Sequence, residues 1–277
     1  GRAKHAAGEH PFGYPSNQVA SRDPTCNDSI AMTSTITSLR HAALALIAAA
    51  ALVGCGSTKP VPAWQTQTLN TTDAAVTAFL QGQAKVADLL MKQAQFSASS
   101  TGRLEAVYKL TLLECALRSA SLSVEPCPRP EDVGLLSRAF EDDEWATLAA
   151  YRRYLIGERL TPEAIALLPD AQRGMARLMT SEGADGVMSA LLAIQDPLSR
   201  LVASGVWLRH ASKGATPSVV AGVVALAIDT ASREGWRRPL AAWLTHQMQV
   251  ARAANDLDTA ARAQARLSLV LDGVGQK

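Results

Sequence analysis

The chain is most informative at first in what it lacks. No stretch shows the sustained alternation of apolar and polar residues that marks a half-buried strand, which excludes a sheet-based fold. No apolar run reaches the ~20 residues a membrane-spanning helix needs. Charge of one sign is also missing: 27 Lys and Arg stand against 25 Asp and Glu. Residues 1–54 hold four of those bases (Arg2, Lys4, Arg22, Arg40) and three of those acids (Glu9, Asp23, Asp28), so the remainder is close to neutral. A near-neutral body argues against nucleic acid as partner. There is no Gly-x-Ser-x-Gly elbow, no His-Glu-x-x-His, no phosphate-binding glycine loop and no cysteine pair at metal-ligand spacing. Neither a catalytic residue, a metal site nor a small-molecule cofactor is therefore assigned. Aromatics are few, at 5%. Four of the five Trp (Trp145, Trp207, Trp236, Trp243) fall in expected helices or at their starts, as core anchors.

What is present begins with Met32 to Cys55. A short start with Arg40 as its firm positive charge leads into an apolar run from Ala42 to Val53 and ends in Leu52-Val53-Gly54-Cys55. Those are the parts of a secretory signal peptide. The last four residues resemble the lipobox of bacterial lipoproteins. That resemblance covers about 24 residues and implies nothing about the fold beyond them. It implies that the chain is cut before Cys55 and that Cys55 carries acyl groups on its sulfur and its amino group. Two or more acyl chains make a stable anchor where one is marginal. In that class an Asp after the Cys tends to retain the protein in the inner membrane. Gly56 stands there instead, which implies the outer membrane, facing the periplasm.

The chain divides accordingly. Residues 1–31, with Pro11, Gly13, Pro15 and Pro24 and no apolar periodicity, read as a non-structural extension upstream of the first Met. Residues 32–54 are the signal peptide. Residues 55–72, polar and containing Pro60 and Pro62, read as an extended tether carrying the lipid. Residues 73–277 form the folded domain. Setting aside Cys26 and Cys55, two cysteines remain, Cys115 and Cys127, twelve apart. An oxidising compartment predicts a disulfide between them.

The domain reads as all-α. A first helix is expected from Asp73, capped by Thr71 or Thr72 and weakened at Gly82. A second carries Leu104, Val107, Tyr108, Leu112 and Cys115. The prolines of Glu125-Pro126-Cys127-Pro128-Arg129-Pro130 forbid regular structure. Glu131–Phe140 reads as a short helix, and Glu141-Asp142-Asp143-Glu144 opens a longer one as a solvated acidic cap. Thr161-Pro162 and Thr216-Pro217 are helix starts. Further helices fit 184–195, 197–211, 217–233, 240–254 and 257–271. Val219–Ile228 is apolar nearly all round and is expected to be the most buried.

In the last third, an offset of 42 places Pro197-Leu198 on Pro239-Leu240 and Ala211 on Ala253. The segment Ala254 to Leu267 is weakly similar to the turn and second helix of a tetratricopeptide repeat, whose small Ala residues let helices approach. The architecture is thus an irregular helical bundle or a set of stacked, tetratricopeptide-like helical hairpins.

Function follows from location and surface. The favoured expectation is a non-enzymatic adaptor, tied to the membrane by its lipid and binding another envelope protein through a helical surface. Trp236-Arg237-Arg238 is the aromatic–basic cluster proposed for such a partner. A cell-wall glycan binder or hydrolase using Asp and Glu in an inter-helix cleft is one alternative. An accessory lipoprotein of an envelope sensor, secretion or pilus system is another. His210 is expected to end a helix, where a cation suits the negative pole. His246 is expected on the surface.

Overall fold

Three Pro-containing helix starts show how local chemistry sets the element boundaries. Thr161 Oγ1 accepts from the Ala164 amide (3.3 Å), Asp196 Oδ2 from Ser199 (2.7 Å) and Thr216 Oγ1 from Val219 (3.5 Å). In each case Pro follows at the first helical position, where its missing N–H costs nothing. The computed structural model describes residues 62–134, 143–180 and 186–272. Residues 1–54 and Cys55 lie outside them, as do Glu141 and Asp142.

Among the described residues there are eleven helices and no strand. They are α1 (Ala63–Leu80), α2 (Ala84–Ser99), α3 (Leu104–Ala120), α4 (Asp143–Leu155), α5 (Pro162–Ala166), α6 (Asp170–Thr180), α7 (Val187–Ala193), α8 (Pro197–His210), α9 (Pro217–Arg233), α10 (Arg237–Ala253) and α11 (Leu257–Asp272). The expected all-α class holds. From Trp64 onward these helices belong to one compact unit.

The first expected helix is in fact two, and it starts ten residues early. Residues 63–72, read as tether, are the first half of α1. Thr residues are poor helix formers in isolation. Here the Thr72 hydroxyl donates to the Thr68 carbonyl (2.7 Å), Thr68 Oγ1 donates to Ser97 Oγ on α2 (3.0 Å), and Thr72 and Ala75 are buried. Tertiary contact overrides propensity. Gly82, with φ +79°, ends α1 outright instead of weakening one long helix. The expected helix at 131–140 is a single 3-10 turn at Glu131–Val133, with the remainder outside the described residues.

The most buried helix is not the one containing Val219–Ile228. α8 buries Leu198, Ser199 and the whole run Leu201–Trp207, and α3 buries most of its length. The reason is position. α8 is packed by α3, α6, α7 and α9, whereas α9 leaves Ala221 and Ala225 in solvent. Small side chains make α9 look apolar all round without needing cover.

The α3–α8 crossing is unusually close. A Cβ on Gly205 would lie 2.0 Å from the Ser119 carbonyl oxygen. At the end of α3, the Trp243 indole N–H of α10 donates to the Ala120 carbonyl (2.9 Å). Inside, Gln172 is fully buried and paired at both ends, accepting from the Tyr154 hydroxyl (2.8 Å) and donating to the Ser199 carbonyl (3.1 Å). That satisfies the requirement that buried polar groups be bonded.

The offset of 42 sets α8 against α10 and α9 against α11, and α9 packs on both α8 and α10. The helix order repeats, but the packing does not: Gly205 falls on Gln247 and Leu201 on Trp243.

Two glycine substitutions separate propensity from packing. Gly174 in α6 has open space around it, and Gly174→Ala is expected to stabilise the fold by about 0.5–1 kcal/mol. Gly205→Ala, equally helical, is expected to cost about 1–3 kcal/mol because the methyl meets backbone. Urea unfolding reads both, and equal signs for the two would contradict the close crossing.

Candidate functional site

Four local arrangements could bear function, and the first three involve α3. The first is the loop after it. Cys115, buried on α3, is bonded to Cys127 with Cα atoms 5.4 Å apart, as the spacing predicts. The closed loop is held from three further sides. Arg152 of α4 donates to the carbonyls of Pro128 (3.2 Å) and Cys127 (3.4 Å). The Tyr108 hydroxyl donates to Pro128 as well (3.1 Å), and Arg209 of α8 donates to the Ser123 carbonyl. Tyr108 also stacks on Trp145, ring centroids 5.6 Å apart. Burial pushes the Tyr108 hydroxyl up to about 12, so it stays a donor across the physiological range.

The second is a cavity of about 190 Å³ between α1 and α3. Leu69, Val76, Leu110 and Leu113 line its apolar part, with Leu198 of α8 among them and Trp64 at the start of α1. Its polar side is a bridge of charges: Glu144 takes Lys109 (2.7 Å) and Arg103 (3.3 Å), and Arg103 also holds Glu105 (2.6 Å). Glu144 stands in the first turn of α4, as expected of the acidic cap, and also closes this network. Such half-exposed pairs are worth roughly 0–1 kcal/mol each and chiefly set geometry.

The third is an acidic cleft of about 240 Å³ between α2 and α3, where Asp88, Glu114 and Glu125 meet Arg118 and Arg238. Burial holds the Glu114 carboxyl above its usual range, opposed by the neighbouring Arg118 charge and reinforced by Asp88. Gln95 donates to it at 3.5 Å, a weak bond. This is where the carboxylate-cleft alternative finds its residues. Two carboxyls in one cleft, one of them raised by burial, are the kind of pair that acid catalysis uses.

The fourth is the Trp236-Arg237-Arg238 cluster. Trp236 sits at the N-cap position of α10, half-buried against the core. Arg237 reaches across to the end of α11 and donates to the carbonyls of Val270 (2.9 Å) and Leu271 (3.1 Å). The Arg238 guanidinium lies 3.9 Å from the centre of the Phe79 ring of α1. Both cations hold helices together, and Arg237 stays exposed while doing so. They end the last helix and tie α10 to α1.

The remaining sequence candidates are placed as follows. Trp145, Trp207 and Trp243 are buried, as core anchors should be. Trp64 lines the first cavity. His210 does end α8, but burial and Arg209 lower its pKa, which disfavours the expected cation. Its ring lies against Gly157, where a Cβ would come within 2.2 Å of it. His246 is half-buried, with Nε2 inaccessible and unpaired among the described residues, so it is not a plain surface residue. Burial lowers its pKa too. No cluster of metal-ligating side chains occurs among the described residues. Sequence reading did not locate the cavities or Gly205. One available signal was the set of arginines near helix ends. No family model, curated protein or solved structure matches the chain.

Two measurements probe these arrangements. Replacing both Cys115 and Cys127 by Ala is expected to cost about 2–4 kcal/mol in urea unfolding, with faster hydrogen exchange over 121–130. An unmoved midpoint would show the loop is held without the bridge. For Glu114, a folded-state pKa raised above the unfolded value means the folded state binds the proton more tightly. Its stabilising contribution is therefore fully present below about pH 4 and is lost as pH rises through the folded value. Glu114→Gln is expected to be the more stable chain at neutral pH, the gain shrinking as the pH is lowered through the carboxylate range. A constant difference would contradict the burial effect.

Proposed function

We propose that this chain is a lipid-anchored adaptor of the bacterial outer membrane, facing the periplasm and offering a helical surface to another envelope protein. The observation that carries the proposal is Leu52-Val53-Gly54-Cys55 at the end of the signal-like stretch from Met32. Cys55 is the acylated residue and the first of the mature chain. Two structural facts sit well with it. A Cys115–Cys127 bridge suits an oxidising compartment. No helix among the described residues is long and apolar enough to cross a membrane, so attachment through acyl chains has work to do.

Arg237 and Arg238 hold helices within the chain, and Trp236-Arg237-Arg238 remains one candidate face for the partner. The disulfide-pinned loop with Arg129, Arg152 and Arg153 beside Tyr108 and Trp145 borders an open cleft of about 530 Å³ and is the best-braced candidate. An accessory role in a sensor, secretion or pilus system shares every feature of this reading and differs only in the partner. A second reading, cell-wall glycan binding or hydrolysis, is favoured by one observation, the raised Glu114 beside Asp88.

Intact mass of the membrane-extracted chain decides the anchor. A chain beginning at Cys55 with two or three acyl groups, gaining two hydrogens on reduction, is expected. Cys55→Ser is expected to leave residues 32–54 attached and acyl groups absent. An unacylated wild-type chain would falsify the anchor. Purified peptidoglycan separates the second reading: soluble fragments released by the wild type and lost in Glu114→Gln would establish it over the adaptor.

A further inference from the structure

The outermost ridge of α2 has a composition the packed core does not explain. Lys85, Leu89, Lys92 and Phe96 recur at steps of four, three and four, so they form one line along the helix. All four are exposed, on the side away from the buried Ala87, Met91, Ala94 and Ala98. Phe96 is 78% exposed and Leu89 68%. Phe96 is the one aromatic among the exposed large apolar side chains of the described residues. Neither lysine has an ion-pair partner among the described residues. Asp88 lies to one side of this ridge and lines the acidic cleft.

The ridge also sits at a particular end of the molecule. The Thr68–Ser97 hydrogen bond places the end of α2, and Phe96 with it, beside the first turns of α1. Cys55 precedes the start of α1 by eight residues. Even fully extended, that span is at most about 30 Å. An acylated Cys55 therefore holds this end of the domain close to the bilayer. Tethering raises the effective concentration of nearby surface groups at the membrane, so a contact too weak to bind alone becomes occupied.

We propose that the α2 ridge lies on the membrane surface, with Leu89 and Phe96 in the headgroup–acyl boundary and Lys85 and Lys92 on anionic headgroups. The acyl anchor and α2 together then fix which faces of the domain point away from the membrane. The proposal rests on the lipid-anchor reading. Apolar side chains flanked by lysines are what an interfacial helix presents to anionic lipid. A protein partner fits less well, because lysine is depleted from the cores of protein interfaces.

The test places a benzophenone amino acid at Gln93, beside the ridge, or at Leu257, exposed at the start of α11. The full membrane-extracted chain is reconstituted into vesicles of three parts phosphatidylethanolamine to one of phosphatidylglycerol, then irradiated. Phospholipid adduct at 93 is expected to exceed that at 257 by about tenfold, and Leu89→Ser with Phe96→Ser is expected to remove the excess. Lys85→Gln with Lys92→Gln is expected to weaken both the adduct and its sensitivity to salt. Equal lipid adduct at 93 and 257 overturns the proposal. So does irradiation in whole cells that joins 93 to a protein instead of lipid. Intact mass reports the anchor separately. If acyl groups are absent, the same labelled chain is mixed with the vesicles: excess adduct at 93 then supports the ridge while the anchor reading falls, and no excess ends both.

Discussion

The close crossing of α3 and α8 is the constraint on which the other contacts depend. With no side chain at Gly205, backbone meets backbone at Ser119, and two nearly fully buried helices share one interface. The disulfide loop, the apolar cavity and the acidic cleft all involve α3. Its outer faces line both the apolar cavity and the acidic cleft, Cys115 holds the loop, and its C-terminal carbonyl at Ala120 receives Trp243. A shift of α3 by the width of one methyl group would be felt at all four. Close-packed interiors transmit such displacements.

Arginine does a second structural job. Helices end with unsatisfied carbonyls, and long cationic side chains from neighbouring helices supply donors. Arg200 bonds the carbonyls of Leu191 and Ile194 at the end of α7, and Arg173 bonds Leu168 after α5. Arg209 does the same after α3, Arg152 in the disulfide loop and Arg237 at the end of α11. A neutral protein can thus be rich in arginine without displaying a basic face. A Trp-Arg-Arg triplet serves either use: guanidinium groups with five donors are as useful for joining helices as for meeting partners.

A division of labour between the faces follows from this. On α2 the exposed Leu89 and Phe96 stand in line with the exposed Lys85 and Lys92. The disulfide-pinned loop and its cleft lie across α3, braced by α4 and α8. An adaptor needs a surface held rigid and a fixed orientation. A disulfide between residues twelve apart pins the irregular segment after α3 back onto that helix.

Much of the architecture is legible in the residues themselves. The all-α class follows from three- and four-residue apolar spacing. The starts of α5 and α9 follow from Thr-Pro pairs, because capping is local chemistry within a few residues. The disulfide follows from cysteine arithmetic together with the compartment that the lipobox resemblance implies. Where contacts between distant segments compete with local preference, the sequence alone misleads. The Thr-rich start of α1 is helical because Ser97 and the core receive it. α8 outranks α9 in burial because it has neighbours on every side, not because it is more apolar. The fates of Arg237, Arg238, Glu144 and His210 were decided by which helix end or ring lay opposite. Residue type states what a side chain can bond. Only the packed helices determine whether that capacity is spent inside the molecule or left for something outside it.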